Sequence, residues 1–140
     1  MSDTNQELNP QGKPQYLPRP EKVTPEYMLE VLREYYNKKW NPNPSVLKTL
    51  KMWNDFQLML RMPDIQTDYT VLINGGRVDS VHIGIPDTPR ILTVMLADTQ
   101  QRIYYDETTA AIESIAGRIK VRGDEVEKRR LLAAISYLTW

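Results

Sequence analysis

Gly117-Arg118-Ile119-Lys120-Val121-Arg122-Gly123-Asp124 alternates basic and apolar residues between two glycines and ends on an acidic one. Ile119 and Val121 point to one side and Arg118, Lys120 and Arg122 to the other, the period of a half-buried strand. Asp124 with Glu127 is a capping-box pattern that opens a last helix, with Val126, Leu131, Leu132, Ile135 and Leu138 expected as its buried stripe. A strand running straight into a helix implies a small sheet roofed by helices on its apolar face. Upstream, Gly117 ends a helix expected from about Glu107 to Ala116. Its Ala110, Ala111, Ile112, Ile115 and Ala116 read as a small-residue face that lies close on something flat. Before it, Asp98 and Gln101 repeat the capping box, with Ile103 and Tyr104 on the apolar side of a short helix. Ile91-Leu92-Thr93-Val94-Met95-Leu96, set off by Pro86-Asp87-Thr88-Pro89, reads as a strand.

Further upstream the alternation continues. Phe56, Leu58, Leu60 and Met62 alternate with Gln57, Met59 and Arg61 up to Pro63-Asp64. Tyr69, Val71 and Ile73 lead to Asn74-Gly75-Gly76, a tight-turn signal, and on into a strand from Val78 to Ile85, so a hairpin is expected. Thr24-Pro25-Glu26-Tyr27 opens a helix expected to run to about Trp40. Its stripe of Tyr27, Met28, Val31, Leu32, Tyr35 and Tyr36 reads as core or partner surface. Asn41-Pro42-Asn43-Pro44 stops that helix, and Ser45 is expected to cap a second one through about Lys51. The order gives an α+β domain with an antiparallel or mixed sheet.

The chain has 140 residues, enough for one domain with a core. Residues 1–24, with Pro10, Pro14, Pro18 and Pro20, read as a flexible tail that carries few large apolar side chains, and 25–140 as a single domain. Tyr16 and Leu17 are the tail residues that could dock on a partner. Lys plus Arg and Asp plus Glu number 18 each, so no basic field exists to hold nucleic acid. Cysteine is absent, which excludes disulfide scaffolds and Cys-type zinc sites. The polar start and the lack of an apolar run of membrane length lead to the expectation of a cytoplasmic protein with no transmembrane segment.

Catalytic chemistry finds little purchase. His82, the one histidine, alternates with Ser80 away from Val81 and Ile83 and has no neighbouring nucleophile or metal ligand; it reads as a surface residue. Gly75-Gly76 lacks the lysine and the helix of a phosphate cradle. Asp106-Glu107 reads as helix-end carboxylates. Arg118, Lys120, Arg122, Lys128, Arg129 and Arg130 form a basic cluster, either a solvated edge or a contact for an anion such as a lipid headgroup or the phosphates of acyl-coenzyme A.

Taken in order, Asn43-Pro44 to Leu50, Phe56-Gln57-Leu58, the run from Tyr69 to Val78, Gly84-Ile85-Pro86-Asp87 and Ala116 to Asp124 resemble the sterol carrier protein two family over about Asn43 to Leu138. The resemblance implies a five-stranded, mainly antiparallel sheet covered by helices, here with an extra N-terminal amphipathic helix. It also implies a hydrophobic tunnel for sterols, fatty acids, acyl-coenzyme A or other lipids, with no cofactor and no catalytic residues. The sequence departs from the family where a glycine is common between the two helices after the fourth strand and Tyr104-Tyr105-Asp106-Glu107 stands instead. Its Leu138-Thr139-Trp140 is also no peroxisomal address. On this basis the expected ligand-facing residues are Phe56, Leu58, Leu60, Val71, Ile73, Val94 and Leu96, with Ile103, Ala111, Ile112 and Ile115 as the roof. Two other readings stay open. The same residues could pack as a solid core, or the domain could be an accessory subunit docking on an enzyme of lipid or quinone metabolism through the Tyr27–Trp40 helix or the tail.

Overall fold

The computed structural model describes residues 16–139; residues 1–15 of the expected tail lie outside the described residues. Helix α1 (Pro25–Tyr35) begins as expected, with the Thr24 hydroxyl oxygen accepting from the Tyr27 N–H at 3.1 Å. Met28, Val31, Leu32 and Tyr35 are buried, so its apolar stripe is core. The chain does not stay α-helical to Trp40. Tyr36–Trp40 forms a wider π turn in which the Asn41 N–H donates to the Tyr36 carbonyl at 2.8 Å. That turn brings Tyr36 and Trp40 together edge to face, 5.4 Å apart, on the inner side. Helix α2 (Pro44–Thr49) is capped by Asn43 rather than Ser45: Asn43 Oδ1 accepts from the Ser45 and Val46 N–H groups. Pro44, with no N–H to satisfy, takes the first helical position and moves the cap one residue upstream of it.

Five strands follow: β1 (Phe56–Met62), β2 (Thr67–Asn74), β3 (Arg77–Ile83), β4 (Pro89–Val94) and β5 (Lys120–Gly123). They form one sheet in the order β3-β2-β1-β4-β5. All pairings are antiparallel except β1 with β4, which is parallel, so the sheet is mixed and mainly antiparallel, as the resemblance implies. β3 stops two residues short of the expected Ile85, because Gly84 leaves the strand at φ +133°. β4 starts earlier than expected and ends at Val94, because Leu96 is already the N-cap of α3 (Ala97–Tyr104). Asp98 does not cap that helix. Asp64, on the 3₁₀ turn Pro63–Ile65, accepts from the Ala97 and Asp98 N–H groups at 2.7 and 3.2 Å and takes over the role. Helices α4 (Ala110–Ile115) and α5 (Glu125–Ile135) complete the domain.

The helices cover one face of the sheet. Val81, Val71, Leu58 and Ile91 form one row across it, and Tyr69, Leu60, Thr93 and Val121 the next. The edge strand β3 is sealed from the helix side. Asn41 donates to the Val78 carbonyl and accepts from its N–H at 3.0 and 2.9 Å, and Arg33 donates to the Val81 carbonyl. Asp124 caps α5 as expected, yet the stripe is only partly right: Leu131, Ile135 and Leu138 are buried, while Val126 and Leu132 are exposed. Glu127 takes an inward position of that helix, where Trp53 and Arg90 donate to it.

The β2–β3 turn brings backbone close to backbone. Gly76, at φ +82°, sits so that a Cβ would lie 2.9 Å from the Leu47 carbonyl oxygen, whereas Gly75, at φ +58°, faces open space. We expect Gly76→Ala to destabilise by about 2 kcal/mol or more and Gly75→Ala by about 1 kcal/mol, since only the first adds a backbone clash to the left-handed conformation. Chemical denaturation of the two variants side by side measures the difference, and equal effects would refute the close approach.

Candidate functional site

A cavity of about 40 Å³ lies between the sheet and the helices. Its floor is Leu58, Leu60 and Thr93, side by side on β1 and β4. Gln100 and Ile103 of α3, Ala110 of α4, and Leu131 and Ile135 of α5 form its walls. Tyr35, Tyr36 and Trp40 close it, carried there by the end of α1 and the π turn. Burial pushes the Tyr35 and Tyr36 hydroxyls far up from their ordinary pKa, so both rings stay neutral at any physiological pH. Pockets for small molecules run to about 300–1,000 Å³, well above the volume of this cavity.

Tyr35 also lines a second space of about 220 Å³, an outer groove with Tyr16, Glu34, Lys38, Lys39, Tyr104 and Asp106. Tyr35 is therefore shared by groove and interior. Across the rim of the groove runs the segment that the sequence assigns to the tail. Tyr16 donates to Asp106, the Leu17 N–H donates to Tyr104 Oη at 2.8 Å, and Tyr105 Oη donates to the Leu17 carbonyl at 2.7 Å. Arg19 pairs with Glu107 and lies over the Tyr105 ring. Tyr16, Leu17 and Arg19 thus contact the domain although they fall within the segment expected as tail, which ends at Thr24. The segment holding them is Tyr104-Tyr105-Asp106-Glu107, where the sequence departs from the family pattern.

Of the expected ligand-facing residues, Leu58, Leu60 and Ile103 line the cavity. Phe56, Val71 and Ile73 lie buried on the same face of the sheet but in its solid part, where Phe56 stacks on Trp53 with ring centres 3.7 Å apart. Val94 and Leu96 are corrected by one residue. Thr93 and Met95 point inward, Val94 shares the opposite face with Arg61, and Leu96 is 46% exposed at the head of α3. The expected roof also turns over. Ala111 is half-buried, Ile112 is 46% and Ile115 is 89% exposed, and the inward residues of α4 are Ala110 and Glu113. Thr109 caps this helix at the Ile112 N–H, and that start sets the phase.

Glu113 is the feature that sequence reasoning missed. Its carboxylate is 1% exposed and accepts from Arg118 at 2.6 and 3.1 Å, from Thr108 at 2.8 Å and from Arg102 at 3.0 Å. These bonds, Arg118 foremost, hold its pKa down to about 2 against the opposing effect of burial. Half of the expected basic cluster is likewise engaged: Arg118 with Glu113, Lys128 with Glu125 and Arg130 with Glu127. His82 is exposed on the face of β3 turned away from the cavity. Among the described residues no group of three or more His, Cys, Asp or Glu side chains converges as a metal site, and no helix is long and apolar enough to cross a membrane.

The architecture has counterparts among solved structures. A UbiJ-SCP2 ubiquinone synthesis protein superposes with a TM-score of 0.55 at 11% identity, over 84% of this chain and 93% of that one. The sterol carrier protein 2-like 2 protein of Aedes aegypti, in palmitated form, superposes with a TM-score of 0.54 at 17% identity, over 81% of this chain and 95% of that one. This chain has the sterol carrier protein two fold. A variant of a sec-alkyl sulfatase contains the same fold within a longer chain, with a TM-score of 0.54 at 14% identity over 84% of this chain and 17% of that one. No protein-family model matches the sequence, and no curated protein matches it.

Two measurements test the site's construction. Because the Glu113 pKa falls from 4.5 to about 2 on folding, its contribution is fully present above pH 4.5 and is lost as pH drops toward 2. Glu113→Gln should lower stability at pH 7 by about 2 kcal/mol and flatten the acid limb of a stability–pH profile, and an unchanged limb would refute the role assigned to this carboxylate. Removing residues 1–20 should lower the melting temperature by several degrees through loss of the Tyr16, Leu17 and Arg19 contacts; an unchanged value would show the strap to be energetically idle.

Proposed function

We propose that the protein binds or transfers a hydrophobic ligand (a sterol, fatty acid, acyl-coenzyme A or other lipid) between sheet and helices, without catalysis and in the cytoplasm. The observation that carries this reading is the largely apolar interior cavity under a roof of three aromatic side chains carried by the end of α1 and the π turn, with Tyr35 lining both it and the outer groove. The ligand enters by displacing the Tyr35–Trp40 roof, and apolar area removed from water drives it. The palmitated state of the Aedes aegypti relative is in keeping with an interior of this fold that opens.

A second reading, an accessory subunit of an enzyme of lipid or quinone metabolism, is favoured by a different observation. The apolar side of α1 is used internally, and residues 16–19 dock on their own domain, so neither is left for a partner. Instead Ile112 and Ile115 on α4 and Val126 and Leu132 on α5 face outward. The ubiquinone synthesis protein among the structural counterparts accords with this alternative.

Titration with fluorescent cis-parinaric acid separates the two. We expect binding at micromolar concentration with a rise in melting temperature. Tyr36→Leu, which thins the roof, should lower the melting temperature of the free protein and tighten binding several-fold, because less aromatic surface has to move. Failure of both proteins to bind any of a panel of sterols, acyl chains and quinones would refute the carrier reading and leave the accessory one.

A further inference from the structure

Besides its tyrosine and tryptophan rings, the largely apolar interior cavity has two polar lining residues, and each carries an unsatisfied atom. Thr93 Oγ1 and Gln100 Nε2 are buried without a hydrogen-bond partner, on side chains of residues 5% and 3% exposed, and both residues line the cavity. Thr93 belongs to the floor on β4 and Gln100 to the wall on α3, so two consecutive elements bring a hydroxyl and an amide donor to one small space. Leaving such groups unpaired is unfavourable, and valine or leucine at these positions would avoid it. No Lys, Arg or His lines the cavity.

From this juxtaposition we infer that Thr93 and Gln100 are a polar anchor for the uncharged carbonyl of a lipid: an ester, ketone or quinone. The inference rests on the carrier reading and specifies the ligand for that same cavity. Gln100 donates its amide N–H to the carbonyl oxygen, the Thr93 hydroxyl donates alongside it, and the hydrocarbon part lies along Leu58, Leu60 and Ile103. An ionised carboxylate does not suit the position, because it would be buried with two neutral donors and no cation. Specificity comes from the unpaired donors: a ligand with no acceptor leaves them unsatisfied, so its binding is penalised relative to the carbonyl lipid.

The test compares cis-parinaric acid methyl ester with the free acid at pH 8, by fluorescence titration of the full chain, together with melting temperatures of the ligand-free proteins. Wild type should bind the ester at least tenfold more tightly than the acid. Thr93→Val and Gln100→Leu should each weaken ester binding about tenfold, reduce that preference and raise the melting temperature of the free protein, since each removes a buried unpaired atom. Thr93→Ser, which keeps the hydroxyl, should retain the preference. Binding of both probes by wild type without ester preference, or with a preference that survives the two variants, would overturn the anchor and leave the carrier reading standing. Lower melting temperatures with unchanged ester affinity would show that the pair holds buried water only, which also overturns it. Binding of neither probe by wild type would remove the carrier reading, and the anchor with it.

Discussion

The pair of hydrogen bonds between the Asn41 side chain and the backbone of Val78 ties the first helical unit to the edge of the sheet. Asn41 sits just beyond the π turn, and by meeting both the N–H and the carbonyl of one residue on the edge strand it acts as a short piece of an additional strand. Trp40 adds a bond from its indole N–H to the Gly76 carbonyl at 2.8 Å. The end of the first helical unit is thereby tied to the β2–β3 hairpin, and Tyr35, Tyr36 and Trp40 can only point down toward the sheet. The same bonds close the edge of the sheet to other chains. Roof position and edge protection are one constraint with two effects.

On the opposite side, the arrangement of α4 is electrostatic rather than hydrophobic. A helix of six residues offers two inward positions, and this one places Glu113 in the second. The carboxylate is tolerated there because Arg118, Arg102 and Thr108 surround it, and its backbone carbonyl also accepts from the Arg118 and Ile119 N–H groups. That knot sets the turn from α4 into β5. Ile112 and Ile115 are turned outward as a result, and the wall of the cavity at this point is the small side chain of Ala110.

Most of the architecture was legible from period and punctuation. Alternation located the strands, Thr24 and Asp124 marked helix starts, and Asn74-Gly75-Gly76 marked the hairpin; each is a local signal with a local cause. The glycine-bracketed basic strand gave the resemblance, and the structural counterparts bear out the fold it implies. The site was legible only in part, because which face of an element looks inward depends on contacts made far along the chain. Val94 and Leu96 are expected inward, but register with β1 turns Thr93 in, and Met95 lines the cavity with it. The apolar residues of α4 are contiguous and define no face, so its phase had to come from Thr109 and from the Glu113 knot. Asp64 capping α3 from a distant turn, and the strap on Tyr104 and Tyr105, are tertiary contacts with no trace in spacing. Thr93 and Gln100 looked ordinary, since an orphaned polar atom exists only once its surroundings are assembled.

On the carrier reading, the closed roof sets the scale of affinity. Burying about 14 methylenes of an acyl chain is worth on the order of 11 kcal/mol at ~0.8 kcal/mol each. If the open state is populated at about 1%, opening takes back ~2.7 kcal/mol, as a hundredfold weakening of apparent affinity. The difference, about 8 kcal/mol, corresponds to a dissociation constant near 1 μM. A tighter roof would shut the ligand out, and a looser one would expose Tyr35, Tyr36 and Trp40 to water in the empty protein. The strap at 16–19 lies beside the same roof: it is bonded to Tyr104 and Tyr105 at the groove that shares Tyr35 with the interior.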